Sequence, residues 1–204
     1  MLSYSEKNIN DSIIIVSGLP RSGTSMMMKM LSAGGLDLLM DDKRNADVFN
    51  PNGYYEYEAV KSLKDGNTKW LEEARGRVVK VVSPLLHYLP SQYPYQIIFM
   101  KRNLAEVISS QTAMLNGFNK TSTRDEDIAL EKAFQLHLTN LEAWIEEQPN
   151  MRVMYVDYQH LIFDTEQVLS PLLSFIARPF IVEEIFKVID VNLYHNRNGG
   201  VLTR

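Results

Sequence analysis

Four short apolar runs punctuate the chain: Ile13-Ile14-Ile15-Val16-Ser17, Arg77-Val78-Val79-Lys80-Val81-Val82-Ser83, Tyr95-Gln96-Ile97-Ile98-Phe99-Met100 and Met151-Arg152-Val153-Met154-Tyr155-Val156-Asp157-Tyr158. Runs this short and this rich in β-branched residues predict buried strands, of the kind a parallel sheet covers on both faces. Helical patterns alternate with them. After the first strand comes Met26-Met27-Met28-Lys29-Met30-Leu31, a run of good helix formers that ends near Ala33, because Gly34-Gly35 is a stop signal. Its methionines cover nearly the whole circumference, which predicts a buried helix with the thioethers as core packing. Leu104–Leu115 reads as a second helix. A third opens at Thr123-x-x-Glu126, a capping box, carries Leu130, Phe134, Leu138, Leu141 and Ile145 at helical spacing, and stops before Pro149. His137 and Trp144 belong to its packed or half-exposed surface. Two shorter helices follow, one capped by Ser170 with Pro171 at its first position and running to Ala177, the other from Glu183 to about Ile189.

The remaining stretches are irregular. Residues 1–11 read as a flexible leader. Leu36–Met40 is a short strand or turn, Asn50-Pro51-Asn52-Gly53 a turn, and Tyr54-Tyr55-Glu56-Tyr57-Glu58 is followed by a short helical stretch to about Lys64. Pro84 to Pro94 contains three prolines and reads as a loop with one turn of helix. The alternation of strand and helix predicts an α/β fold: a three-layer, mostly parallel sheet of four strands flanked by helices, in a single domain spanning 1–204.

Composition narrows the function. In 204 residues, 45% hydrophobic and 23% charged content is ordinary for a globular protein. A net charge of −4 argues against a broad nucleic-acid-binding surface, while a local pocket for a small anion fits it. The absence of cysteine excludes disulfides, thiolate metal sites and a cysteine nucleophile. The polar N-terminus has no apolar signal core and no apolar run approaches a membrane span, so the expected setting is cytoplasmic.

The candidate chemistry starts at Gly18-Leu19-Pro20-Arg21-Ser22-Gly23-Thr24-Ser25, between the first strand and its helix. Glycines let backbone approach an anion, and the first N–H groups of a helix lack partners within it. With the positive end of the helix dipole they favour a bound phosphate or sulfate. The spacing is nearly that of a nucleotide-triphosphate loop, but Thr24 stands where that loop has lysine, and Arg21 is its only cation. Lys101-Arg102-Asn103 ends the third strand at a helix start, where ligands of open α/β sheets bind.

Pro20-Arg21-Ser22-Gly23-Thr24-Ser25 resembles the 5′-phosphosulfate loop of the sulfotransferases that use 3′-phosphoadenosine 5′-phosphosulfate (PAPS). Arg102, Val107 and Ser110 resemble that family's 3′-phosphate motif, an arginine ending a strand and a serine eight residues later on the next helix. Arginine suits the task through its bidentate fork. The resemblance spans Ile13 to about Ile176 and implies a P-loop-NTPase-like sulfotransferase architecture. It implies PAPS as donor, adenosine 3′,5′-bisphosphate as product, no required metal, and a small-molecule or carbohydrate acceptor bearing a hydroxyl or amine. By the same resemblance Arg21 stabilises the bridging oxygen, Ser22, Gly23, Thr24 and Ser25 hold the 5′-phosphate, and Lys80 matches a catalytic lysine. Tyr158 lies near adenine, and Arg197 in Tyr194–Gly200 closes over the 3′-phosphate.

The match departs from the cytosolic branch at Val82, where that branch has its catalytic histidine, and at Met26, where it has a tryptophan. Other branches take the base from the region before the second strand, which makes Glu56 the candidate and His87 the runner-up. Two other functions compete. Asp157 could hold the metal of a small-metabolite or nucleotide kinase with a variant loop, and the missing histidine suits a non-catalytic module that binds adenosine bisphosphate.

Overall fold

The computed structural model describes residues 11–41, 43, 50, 53–117 and 122–189. Its elements are β1 Ile13–Gly18, α1 Thr24–Ala33, β2 Leu38–Leu39, a 3₁₀ helix Glu58–Asp65, α2 Leu71–Ala74 and β3 Val78–Lys80. A second 3₁₀ helix, Ser83–Tyr88, follows, then β4 Tyr95–Lys101, α3 Leu104–Gly117, α4 Arg124–Glu146, β5 Met151–Asp157, α5 Tyr158–Phe163, α6 Thr165–Ile176 and α7 Val182–Val188. All strand pairs are parallel, in the order β2-β3-β1-β4-β5. The expected α/β sandwich is therefore present, with a fifth strand: the Leu36–Met40 stretch pairs Leu38 and Leu39 with Val78 and Val79.

β1 is the middle strand, and every one of its residues is buried. Alternate side chains feed two cores. Ile14 and Val16 pack with the methionines of α1 and with α5, α6 and α7, while Ile13 and Ile15 pack with Trp70, Leu86, Leu141 and Ile145. Met26, Met27, Met28 and Met30 of α1 are all buried, as the all-round apolar pattern requires. Gly34 ends α1, its N–H donating to the Met30 carbonyl.

From β1 the chain goes to β2 and β3 on one side, then crosses to β4 on the other. That reversal opens a crevice beyond the carboxyl ends of β1 and β4, the usual binding place in such sheets. No helix among the described residues is long and apolar enough to cross a membrane.

The C-terminal third corrects the sequence reading. Asp157 caps a helix, α5, that the sequence reading lacks: its carboxylate accepts from the backbone N–H of Gln159 and His160 at 2.8 and 3.0 Å. Ser170 and Pro171 do not open a helix but lie inside α6, which starts at Thr165. An interior proline removes one ladder bond. Here Pro171 is exposed, and Leu169, Leu172 and Ile176 hold the helix through their burial. The leader lies outside the described residues except Asp11, which pairs with Arg75.

Candidate functional site

The loop between β1 and α1 is built on two glycines that nothing else could replace. Gly18 has φ 145°, and a Cβ there would fall 2.7 Å from the Met100 carbonyl oxygen. Gly23 has φ 100°, and its Cβ would fall 2.7 Å from Cε2 of Tyr158. Between them Ser22 N–H donates to the Leu19 carbonyl at 3.1 Å, closing a tight turn over Pro20 and Arg21. Arg21 itself is left-handed, φ 71°, a conformation that costs a side-chain-bearing residue of order 1 kcal/mol or more.

That turn aims Arg21 across the crevice. Its Nε donates to Ser110 Oγ on α3 at 2.9 Å. Arg102, at the end of β4, donates from Nη1 to the Arg21 carbonyl at 3.2 Å, and its guanidinium lies 4.6 Å from the centre of the Tyr158 ring. The two motifs, 81 to 89 residues apart in sequence, thus form one cluster. Ser110 is buried. Tyr158 is buried beneath the loop, between Gly23 and Arg102, and burial pushes its phenol pKa up, so it stays protonated.

The sequence reading missed the carboxylate that holds this cluster. Glu106 is 2% exposed, and its Oε2 accepts from Arg102 Nε at 3.0 Å. Its Oε1 accepts from Gln159 Nε2 at 3.1 Å, which ties the start of α3 to α5. The signal was the i, i+4 spacing of Arg102 and Glu106 across the start of a helix. Gln159 belongs to the undetected α5 and left no such signal.

Lys80 ends β3 beside the same loop. Its Nζ donates to the Tyr54 carbonyl at 2.6 Å and to Ser25 Oγ at 3.0 Å. A buried ammonium needs such partners, and Lys80 is 8% exposed. Ser25 Oγ also accepts from Asn50 Nδ2 at 3.0 Å. Lys80 therefore ties the loop to the segment that carries Glu56, whose backbone carbonyl accepts from Asp41 N–H at 2.9 Å. Glu56 is half-buried, and His87 is exposed, with its ring 4.3 Å from that of Trp144. Arg197 lies outside the described residues.

The loop offers donors to an anion. Gly23, at the N-cap of α1, supplies no side-chain cap, and no acidic residue lies in the first turn. Ser22 Oγ is buried without a hydrogen-bond partner. A cavity of about 120 Å³ lies against it, lined by Leu19, Ser22, Phe99, Arg102, Leu138 and Glu142. Buried hydroxyls are nearly always satisfied, and this unpaired one borders a cavity that Arg102 also lines. Among the described residues no group of three or more histidines or carboxylates is placed to hold a metal ion.

Residues 11–197 match the family model described as sulfotransferase domain. Among solved structures, the sulfotransferase domain from the curacin biosynthetic pathway superposes with a TM-score of 0.50 at 17% identity, covering 94% of this chain and 81% of that one. At that identity the likeness concerns the fold. Mouse sulfotransferase SULT7A1, complexed with PAP, gives a TM-score of 0.47 at 14% identity, over 88% of this chain and 63% of that one. No curated protein matches significantly by sequence.

Proposed function

The chain belongs to the sulfotransferase family and is an enzyme of sulfuryl transfer; from that premise we propose that its donor is PAPS and its acceptor a small molecule or carbohydrate with a hydroxyl or amine. The observation that carries the donor assignment is the joining of Arg21, Ser110 and Arg102 into one cluster at the crevice. A ligand with phosphates at both the 5′ and 3′ positions needs cationic groups at two points, and the loop and the β4–α3 junction supply them.

In this reading the N–H groups at the start of α1, with Ser22, Thr24 and Ser25, hold the 5′-phosphate. The glycine cradle and the unpaired Ser22 hydroxyl fit such a group. Arg102 and Ser110 take the 3′-phosphate, and Tyr158 supports Arg102 from below. PAPS, when bound, supplies an activated sulfuryl group. Arg21 and Lys80 neutralise charge on the leaving phosphate, the largest electrostatic demand of the reaction. Lys80 does so from a fixed position, because the Tyr54 carbonyl and Ser25 hold its ammonium. The sequence reading offers Glu56 and His87 as proton acceptors, and Glu56→Ala tests the first: a base should cost on the order of 10²–10⁴ in rate while ligand binding is kept. The family match weighs against the kinase reading, and Asp157, its candidate metal holder, caps α5 through Oδ1.

The test is thermal unfolding with adenosine 3′,5′-bisphosphate, with AMP, and with ATP plus Mg²⁺. A ligand at ~100 times its Kd adds roughly 2.7 kcal/mol, or about 5–11 °C in a domain of this size. The expected result is a large shift with the bisphosphate and a small one with AMP. Equal shifts for those two, or a shift confined to ATP plus Mg²⁺, would overturn the donor assignment.

A further inference from the structure

We propose that His137, on α4, is the proton acceptor of the sulfuryl transfer and that Ser83 holds its imidazole in the working orientation. The proposal rests on the donor reading above and goes beyond it by naming the base.

The first argument is place. Lys80 Nζ is 3.0 Å from Ser25 Oγ, so the end of β3 touches the anion loop. Ser83, the first residue of the second 3₁₀ helix, follows three residues after Lys80, no more than about 11 Å of extended chain from it. His137 Nε2 lies 3.0 Å from Ser83 Oγ. Leu138, the next residue on α4, lines the cavity against Ser22 and Arg102. One turn later Glu142 pairs with Lys101 at the end of β4, at 2.6 Å. The part of α4 that carries His137 therefore overlies the carboxyl edge of the sheet, next to the loop.

The second argument is orientation. Ser83 is fully buried, so its hydroxyl serves the imidazole rather than solvent. When Nε2–H donates to Ser83 Oγ, the lone pair rests on Nδ1. A base held by a second group in this way is a recurring catalytic arrangement.

The third argument is protonation. Burial, and then the field of His87 from the second 3₁₀ helix, hold the His137 pKa below the ordinary histidine value. His87 is the titratable group that faces it; Ser83 and Trp144, the other polar or aromatic side chains of this cluster, do not titrate near neutrality. A neutral imidazole is the form that accepts a proton at neutral pH.

The step is balanced as follows. The acceptor oxygen or nitrogen forms a bond to sulfur, and the bond from sulfur to the bridging oxygen breaks, its electron pair leaving on the 5′-phosphate beside Arg21 and Lys80. The acceptor proton moves to Nδ1 of His137, giving an imidazolium with a sulfate ester from a hydroxyl or a sulfamate from an amine.

Release of adenosine 3′,5′-bisphosphate from PAPS is measured with phenol and with p-nitrophenol at mildly alkaline pH, where the second is largely ionised and the first is not. His137→Gln should lower kcat with phenol by about 10²–10⁴ and much less with p-nitrophenol, while the thermal shift with the bisphosphate stays as in the wild type. Where neither phenol is accepted, the acid limb of PAPS hydrolysis by water should disappear in the variant. In the ligand-free protein, NMR titration of the ring protons should place His137 below the ordinary value, and His87→Gln should raise it. Equal losses with both phenols, an unchanged acid limb, or a His137 that titrates at or above the ordinary value would overturn the proposal. Failure of the donor reading shows separately, as loss of the bisphosphate shift in the wild type.

Discussion

Glu106 offers the sharpest test of how the crevice is held together. Its carboxylate and the Arg102 guanidinium are 2% and 8% exposed and 3.0 Å apart. Removing one partner of such a pair costs about 3–5 kcal/mol, because the other charge stays buried without compensation. Arg102 keeps the Arg21 carbonyl at 3.2 Å and the Tyr158 ring at 4.6 Å, so the lower end of that range applies. Glu106→Ala should therefore lose about 3 kcal/mol, roughly 6–12 °C of unfolding midpoint in a domain of this size. Urea unfolding should show the midpoint falling while the slope is kept. The double variant Arg102→Met with Glu106→Leu removes both charges and fills the space, and should lie within about 1 kcal/mol of the wild type. A Glu106→Ala protein within about 0.5 kcal/mol of the wild type would refute the reasoning, since that is the range of an ordinary surface change.

Other outcomes follow from the same geometry. Gly23→Ala places a Cβ 2.7 Å from Tyr158 Cε2 at φ 100°; it should lose about 2–4 kcal/mol in urea unfolding and abolish the bisphosphate thermal shift. Thr123→Ala removes the acceptor for Glu126 N–H and breaks the capping box of α4; it should cost about 1 kcal/mol and leave the bisphosphate shift unchanged. The folded His137 pKa lies below the ordinary value of ~6.5. Between the two values the unfolded chain carries a proton that the folded one does not, so stability falls as pH drops below ~6.5 and recovers as pH rises. His137→Gln should flatten that part of a stability–pH curve, and an unchanged slope would count against the lowered pKa of this half-buried imidazole.

The centre of the fold was legible because its signals are local. Four β-branched or apolar residues, two glycines and a run of methionines specify β1, the loop and α1 without outside help. The capping box at Thr123 and the stop at Gly34 are local in the same sense. The open choice at Leu36–Met40, strand or turn, is decided by tertiary structure: β2 is two residues long and pairs along β3. The failures are tertiary too. Pro171 looks like a helix start to propensity alone, yet three buried residues on the opposite face carry α6 through it. Asp157 reads as a candidate metal holder in the sequence, and its capping role shows only once the backbone behind it is seen to be helical. In the cluster at the crevice, Arg21, Lys80, Arg102 and Ser110 were singled out through the family resemblance. Glu106 and His137 were not singled out: the first pairs within a helix turn, and the second meets Ser83 across 54 residues of chain.

The left-handed Arg21 carries a consequence for anyone engineering this enzyme. Glycine would adopt φ 71° without steric cost, whereas arginine holds it under strain. A library selected for heat resistance alone would therefore be drawn toward glycine at this position. The winners would refold well, survive purification and pass every biophysical quality check, yet they would lack the side chain that reaches Ser110. On the role proposed for Arg21, selection for durability and selection for turnover pull this one codon in opposite directions, so a useful screen must reward both at once.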